Sequence, residues 1–272
     1  MWNALHLTLN WKTLANKVLS VAVSPDSSHI AAAGRDKAIY MFNAPDGTAT
    51  LKLLMVHTHL ISLVAFLPDS RYLASGGADR VICLWDTTYG KLLFSSLLGH
   101  ERQVWLVLFS PNSRCIVSAL DDKTIQTWDV DNGILTPMDQ VGTHKEDVYS
   151  AAFSPNGKSI VSGCKDGKIQ IWDVQALSLL FDPFGLQWHK GSINLVTFLP
   201  DSRLVASGSS NNTICVFDLH SGNLVLGPLK GHEGSVLSVM FLPDSSHIVS
   251  GSSEGSVWVW RVKDGGPACR PL

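Results

Sequence analysis

One phrase, Ser-Pro-Asp or the same phrase with Leu for Ser or Asn for Asp, recurs six times along the 272 residues. That period constrains the fold more than any other feature. Its prolines are Pro25, Pro68, Pro111, Pro155, Pro200 and Pro243, spaced 43 to 45 residues apart. An aromatic residue follows each proline 17 positions later: Phe42, Trp85, Trp128, Trp172, Phe217 and Trp260. In four copies an aspartate comes next, at Asp86, Asp129, Asp173 and Asp218. A fixed period of this length marks a stack of equivalent units that bury their apolar faces against one another.

Each copy reads as short strands separated by turns. Val236 to Phe241 alternates as a strand does. A Pro-Asp-Ser type turn follows, then Ser-His-Ile-Val-Ser-Gly, a tight turn, and Ser-Val-Trp-Val-Trp. A more variable strand ends near the next histidine, as in Leu92 to Leu98. No segment shows a 3.6-residue period, so the chain reads as all-β, with four strands per copy.

Gly99-His100, Ser118, Asp122 and Trp128-Asp129 resemble the WD40 repeat position by position, and the likeness runs over nearly the whole chain. The resemblance implies a WD40-type β-propeller of six four-stranded blades, a single domain over 1–272. The repeats fall at about 14–56, 57–99, 100–143, 144–188, 189–231 and 232–272. Such rings are expected to close by pairing of the N- and C-terminal segments. Leu5 to Leu9, within a closing strand over 1–13, sit at the outer-strand position of the last blade, and Gly266 to Leu272 sit at the same position. Two segments thus compete for one slot, and a fragment of a longer array, or a ring completed by a partner, remains an alternative. Gly227 to Val236 is also similar to the tandem WD40 arrays of fungal signalling proteins that carry a nucleotide-binding switch domain.

Ser, His and Asp recur in register, which raises the question of a hydrolytic triad. Counting from each histidine, Ser lies 18 residues on, an acidic or amide residue 22 on and the aromatic 28 on. The sets are His57, Ser75, Asp79, Trp85; His100, Ser118, Asp122, Trp128; and His144, Ser162, Asp166, Trp172. Repeat six has His232, Ser250, Glu254 and Trp260; repeat five has His189 and Ser207 with Asn211 and Phe217. The resemblance implies a hydrogen-bonded chain inside each blade, indole to hydroxyl to imidazole to carboxylate. An enzyme needs one exposed nucleophile with an oxyanion hole, so a set repeated in several copies reads as scaffolding. Repeat one has Leu14, Ala32 and Phe42, leaving Asp36 without its usual partners and predicting the loosest blade.

Function is then expected where the copies disagree. In the family, partners sit on the top face, reached by the residues after each repeat histidine and before each turn aspartate. Candidates are Arg35, Arg102, Gln103, Trp105, Asp121, Glu146, Asp147, Tyr149, Lys165 and Asn194. Trp105, where other copies have Leu19, Ser62 or Leu237, reads as an interface anchor or as a plug in the central channel. Trp188 is expected to pack locally and Trp258 between blades.

The formal net charge of −2, without a basic run, argues against nucleic acid and against a polybasic membrane patch. No window reaches the roughly 18 apolar residues of a spanning helix. Cys83, Cys115, Cys164, Cys215 and Cys269 show no CxxC spacing, so zinc is not expected; buried free thiols fit a reducing, cytoplasmic setting. The His57-x-His59 pair lacks a third ligand. No P-loop is present, and no cofactor is expected. The leading expectation is a non-catalytic scaffold or sensing module for a protein partner. A small-ligand or carbohydrate-binding propeller stands second, and a propeller enzyme, drawing on Asp121, Glu146, Asp147 and Lys165, third.

Overall fold

The structure, a computed structural model, describes residues 18–54, 56–96, 104–120, 124–131, 134–176, 178–180 and 189–269. Among them there is no helix; every element is a strand. Each repeat folds into its own antiparallel sheet, its strands in sequence order. The first sheet holds β1 (Val18–Val23), β2 (His29–Gly34), β3 (Ile39–Asn43) and β4 (Ala49–Leu54), and the second β5 (Ile61–Phe66), β6 (Tyr72–Gly77), β7 (Ile82–Asp86) and β8 (Lys91–Ser96). The third holds β9 (Val104–Phe109), β10 (Cys115–Leu120), β11 (Thr124–Asp131) and β12 (Ile134–Thr143). The fourth holds β13 (Val148–Phe153), β14 (Ser159–Cys164), β15 (Ile169–Asp173) and β16 (Ser178–Leu179). The fifth holds β17 (Ile193–Phe198), β18 (Leu204–Ser209), β19 (Thr213–Asp218) and β20 (Leu224–Lys230), and the sixth β21 (Val236–Phe241), β22 (His247–Ser252) and β23 (Val257–Arg261).

The sixth sheet has three named strands where four were expected. Beyond β23, Pro267 makes an isolated bridge to Trp260, and the Ala268 amide donates to the Val259 carbonyl. The residues after Gly266 therefore begin to occupy the outer slot. The other contender for that slot, 1–13, lies outside the described residues.

Turn chemistry explains why the strands stop where they do. The Asp or Asn of each Pro-Asp phrase accepts the amide two residues on, as Asp69 does from Arg71 at 3.0 Å and Asn156 from Lys158 at 3.0 Å. The aspartate after the aromatic does the same one turn later. Asp86 takes the amides of Thr88 and Tyr89, Asp173 those of Gln175 and Ala176, and Asp218 those of His220 and Ser221. That second aspartate is thus a turn cap, and its recurrence reflects backbone satisfaction.

The chain forms two compact units, 1–118 with 127–138 and 119–126 with 139–272. Within the first, Ala31, Ala33, Ile39 and Met41 of the first sheet pack on Ile61, Val64 and Phe66 of the second. Within the second, Val161, Ile169 and Ile171 meet Ile193, Val196 and Phe198, while Ala206, Ile214 and Val216 meet Val236, Val239 and Phe241. One layer of small and branched residues receives the first strand of the next sheet. Each Ile, Val or Phe so buried contributes about 1.5–3 kcal/mol relative to exposure. Trp258 packs against the cluster of the fifth and sixth sheets and stacks on Trp260 at 4.9 Å between ring centres.

Candidate functional site

The His-Ser-Trp motif is a buried relay in the blades where it is described. In the second blade Trp85 Nε1–H donates to Ser75 Oγ at 3.0 Å, His57 Nε2 meets the same oxygen at 2.8 Å, and His57 Nδ1 lies 2.9 Å from Asp79. Burial pushes the Asp79 carboxyl upward, but bonding and charge from His57 and the Thr58 and Val81 amides leave it below its ordinary value. The sixth blade repeats the pattern, with Glu254 for Asp: His232 Nδ1 lies 2.8 Å from Glu254, and Ser250 takes both His232 and Trp260. Against the opposing effect of burial, bonds from Ser252, Ser256, His232 and Gly234 bring the Glu254 carboxyl down to about 2. In the third blade Trp128 donates to Ser118 at 2.9 Å, while His100 and Asp122 lie outside the described residues.

The fourth blade departs from the expected set. His144 Nε2 meets Ser162 Oγ at 2.8 Å and Trp172 donates to it at 2.9 Å, but His144 Nδ1 faces the Cys164 thiol. Asp166 is exposed and accepts the Lys168 amide instead. The reason lies two residues before the carboxylate. The second blade has Gly77 there, and a Cβ on it would stand 2.7 Å from Asp79 Oδ1 and 2.8 Å from His57 Nδ1. Gly77 leaves room for the contact with the short Asp79 side chain, whereas the sixth blade, with Ser252 at the equivalent position, makes its contact through the longer Glu254. Cys164 fills the space and supplies its own donor.

The fifth blade, with Phe217, keeps His189 on Ser207 at 2.8 Å and sets its Nδ1 near Asn211 and Thr213. In the first blade Asp36 is not left alone: the Tyr40 hydroxyl donates to it at 2.7 Å, and that bond raises the Tyr40 pKa. Ser75, Ser118, Ser162, Ser207 and Ser250 are buried to within 1% of full enclosure, so none is presented to a substrate.

A backbone hydrogen bond beside the relay clamps the loop end of the second, fourth, fifth and sixth blades. The amide before the turn acid donates to the carbonyl just ahead of the first strand. Ala78 does so to Leu60, Lys165 to Asp147, Ser210 to Ser192 and Ser253 to Ser235, at 2.9–3.0 Å. Residues after the histidine and residues of the turn are thereby held side by side. In the fourth blade this brings together Asp147 and Lys165, whose side chains pair at 3.6 Å, with Glu146 half-buried beside them and Tyr149 exposed on β13. Arg35 is exposed on the equivalent turn of the first blade. Asn194 instead serves the scaffold, its Nδ2 donating to the Val236 carbonyl at 2.8 Å. Arg102, Gln103, Asp121 and Trp188, and the side chain of Trp105, lie outside the described residues.

At the opposite end of the first two blades lies a cleft of about 370 Å³ lined by Asp26, His29, Asp69, Arg71 and Thr87 among others. Much of its polar lining is engaged internally. Asp26 accepts from Ser24 and Ser28, Thr87 donates to the Ser70 and Arg71 carbonyls, and Arg71 lies over the Tyr72 ring. Among the described residues no group of three or more His, Cys, Asp or Glu is placed to hold a metal ion, and no helix is long and apolar enough to cross a membrane.

Six repeated antiparallel sheets, with a buried His–Ser bond in the second, fourth, fifth and sixth, define a blade-repeat β protein. The WD domain, G-beta repeat family model matches at 8–43, 49–86, 90–129, 136–173, 183–218 and 224–261. The chain belongs to the WD40 family, and its fold is of the all-β, WD40-type propeller class. No curated protein matches it. WD40 repeats generally serve as platforms for protein–protein interaction.

Proposed function

We propose that this chain is a non-catalytic interaction module that seats a protein partner on the loop ends of its blades. The observation that carries this reading is the fourth-blade cluster. Tyr149 is 37% exposed on β13, just after Asp147, whose pair with Lys165 sits on loops held by the Lys165 amide and by His144. A rigid backbone presenting an aromatic among charges is the composition of an interface anchor with a polar rim. Among the described candidates Arg35, Tyr149 and Lys165 are exposed, while the relay serines are buried. Arg35, Arg102, Gln103, Trp105 and Asp121 belong to the same set of loop positions and are proposed as further contacts.

The likeness of Gly227 to Val236 to fungal signalling arrays supports a sensing role at the end of a larger protein. Buried free thiols at Cys83, Cys164 and Cys215 support a reducing, cytoplasmic setting.

Affinity capture with the intact chain, compared with Tyr149→Ala, Lys165→Glu, Trp105→Ala and Arg102→Glu, tests the reading. Loss of the same specific partners, in variants that keep the wild-type thermal midpoint, is expected. An unchanged set of partners in all four overturns it.

A further inference from the structure

The cleft of about 370 Å³ at the turn ends of the first two blades lies wholly within the first compact unit. Its size falls within the range of small-molecule sites, about 300–1,000 Å³. The Asp26 amide donates to Ser70 Oγ at 3.1 Å, which fixes the turn of one blade against the turn of the next.

The corresponding junction of the fourth and fifth blades shares that tie, from the Asn156 amide to Ser202 Oγ at 3.1 Å, but not the chemistry. Asn156 and Ser159 stand there in place of Asp26 and His29, and Leu219 in place of Thr87. Arg203 directs its guanidinium to Asp218 at 3.7 Å. Its counterpart Arg71 makes no ion pair among the described residues. The Arg71 guanidinium lies 5.3 Å over the ring of Tyr72, where the fifth blade has Leu204. The first junction therefore keeps a carboxylate, an imidazole and an unpaired guanidinium that the other lacks or neutralises.

Three acceptors in the cleft take no bond from any described residue. Asp26 receives the Ser24 and Ser28 hydroxyls and the Ser28 amide on Oδ1, and Asp69 receives the Arg71 amide on Oδ1, so each leaves its Oδ2 open. Bonds from Ser24 and Ser28 hold the Asp26 carboxyl well below the usual carboxylate range, and it stays ionised. Ser28 Oγ gives its proton to Asp26 at 2.7 Å and therefore accepts Nδ1–H from His29 at 2.6 Å. The neutral ring then presents Nε2 as the third acceptor. A metal ion does not fit, since among the described residues no three His, Cys, Asp or Glu are placed to hold one. The set suits N–H donors spread over an organic cation, with the planar fork of Arg71 left for a carboxylate.

We propose that this cleft binds a free basic α-amino acid. Its two cationic groups lie at Asp26 and Asp69, with His29 Nε2 as a further acceptor, and its carboxylate takes the Arg71 guanidinium. Two carboxylates and one guanidinium match two cations and one carboxylate, charge for charge. The cleft is at the end opposite the loops proposed for a protein partner, so either reading can fail without the other.

Titration of L-arginine into the full chain labelled with nitrogen-15, at low salt so that exposed charges are not screened, tests it. The Ser28 and Arg71 amides donate to the two carboxylates and are expected to shift saturably, while amides of the fourth blade stay unmoved. Asp26→Asn keeps the turn bonds, as Asn156 does in the fourth blade, and Asp69→Asn does the same. Each variant is expected to weaken binding about tenfold, the lower end of what a bond to a charged group contributes. Agmatine, which lacks the carboxylate, is expected to bind wild type more weakly than L-arginine does, and to match it on Arg71→Gln. The proposal is overturned if L-arginine gives no saturable shift at Ser28 and Arg71, or if the asparagine variants bind it as well as wild type. It is also overturned if agmatine equals L-arginine on wild type, or still trails it on Arg71→Gln.

Discussion

His144 turns its Nδ1 toward the thiol of Cys164, not toward the carboxylate of Asp166. Burial raises the Cys164 pKa far above that of a free thiol, so the sulfur keeps its proton and donates it. The imidazole then accepts at Nδ1 and donates Nε2–H to Ser162, whose own hydroxyl points to the Gln170 carbonyl at 3.4 Å. In the second blade the carboxylate of Asp79 only accepts, so His57 donates from Nδ1. Two blades with one motif therefore hold opposite arrangements of the ring proton.

A neutral, enclosed imidazole makes stability depend on pH. Burial lowers the His144 pKa from 6.5 to about 4. Between those values the unfolded chain binds a proton that the folded chain refuses, so stability is full above pH 6.5 and falls as the pH drops toward 4. The loss from this group approaches about 3 kcal/mol. His189 is shifted in the same direction, again by burial. His144→Gln is expected to be less stable than wild type at neutral pH but to show a shallower acid slope in urea denaturation across that window. An identical slope would falsify the assignment.

The cysteines divide by enclosure. Burial raises Cys83 and Cys215 to about 12, and Cys164 still further, while Cys269 is exposed and Cys115 half-buried. Only the thiolate attacks a disulfide reagent. In the native protein one thiol, Cys269, is expected to react fast with a chromogenic disulfide at mildly alkaline pH and Cys115 slowly. All five react once denaturant is added. A rapid native count of three or more would contradict this picture of the interior.

The relay serines differ in how much depends on them. Ser75 serves both His57 and Trp85, whereas Ser207 serves His189 without an indole, because residue 217 is phenylalanine. Each buried polar group left unpaired costs about 1–3 kcal/mol. Ser75→Ala is therefore expected to lose about 3 kcal/mol and Ser207→Ala about half as much, by equilibrium unfolding. Equal losses would mean that the indole bond contributes nothing.

The repeat made the strands and turns readable because each turn is set by an acid or amide at a fixed offset, as at Asp69 and Asp86. The His–Ser–Trp geometry was readable for the same reason. Spacing alone failed at Asp166, since whether a turn acid reaches the histidine depends on the volume at a third position. Gly77 leaves that space and Cys164 fills it, a signal present in the sequence but meaningful only with the turn in view. Asp36 has no repeat histidine or serine to meet and takes another partner. Its substitute partner, Tyr40, comes from a strand position outside the repeat's pattern.

A glycine substitution reads the packing between two blades directly. Gly76 lies in β6, paired with Ile82 of β7. An added methyl at Gly76 would stand 2.7 Å from Val104 Cγ1 and 2.8 Å from Val107 Cγ2, inside any tolerated contact. Overpacking a closed core costs about 1–3 kcal/mol. Replacing glycine by alanine in an accommodating strand gains about 0.4–1 kcal/mol through the unfolded chain. Gly76→Ala is thus expected to be destabilised by about 1–2 kcal/mol after that gain is subtracted. Thermal and urea unfolding of Gly76→Ala beside wild type decide the matter: an unchanged midpoint would show that β6 does not receive Val104 and Val107 so closely.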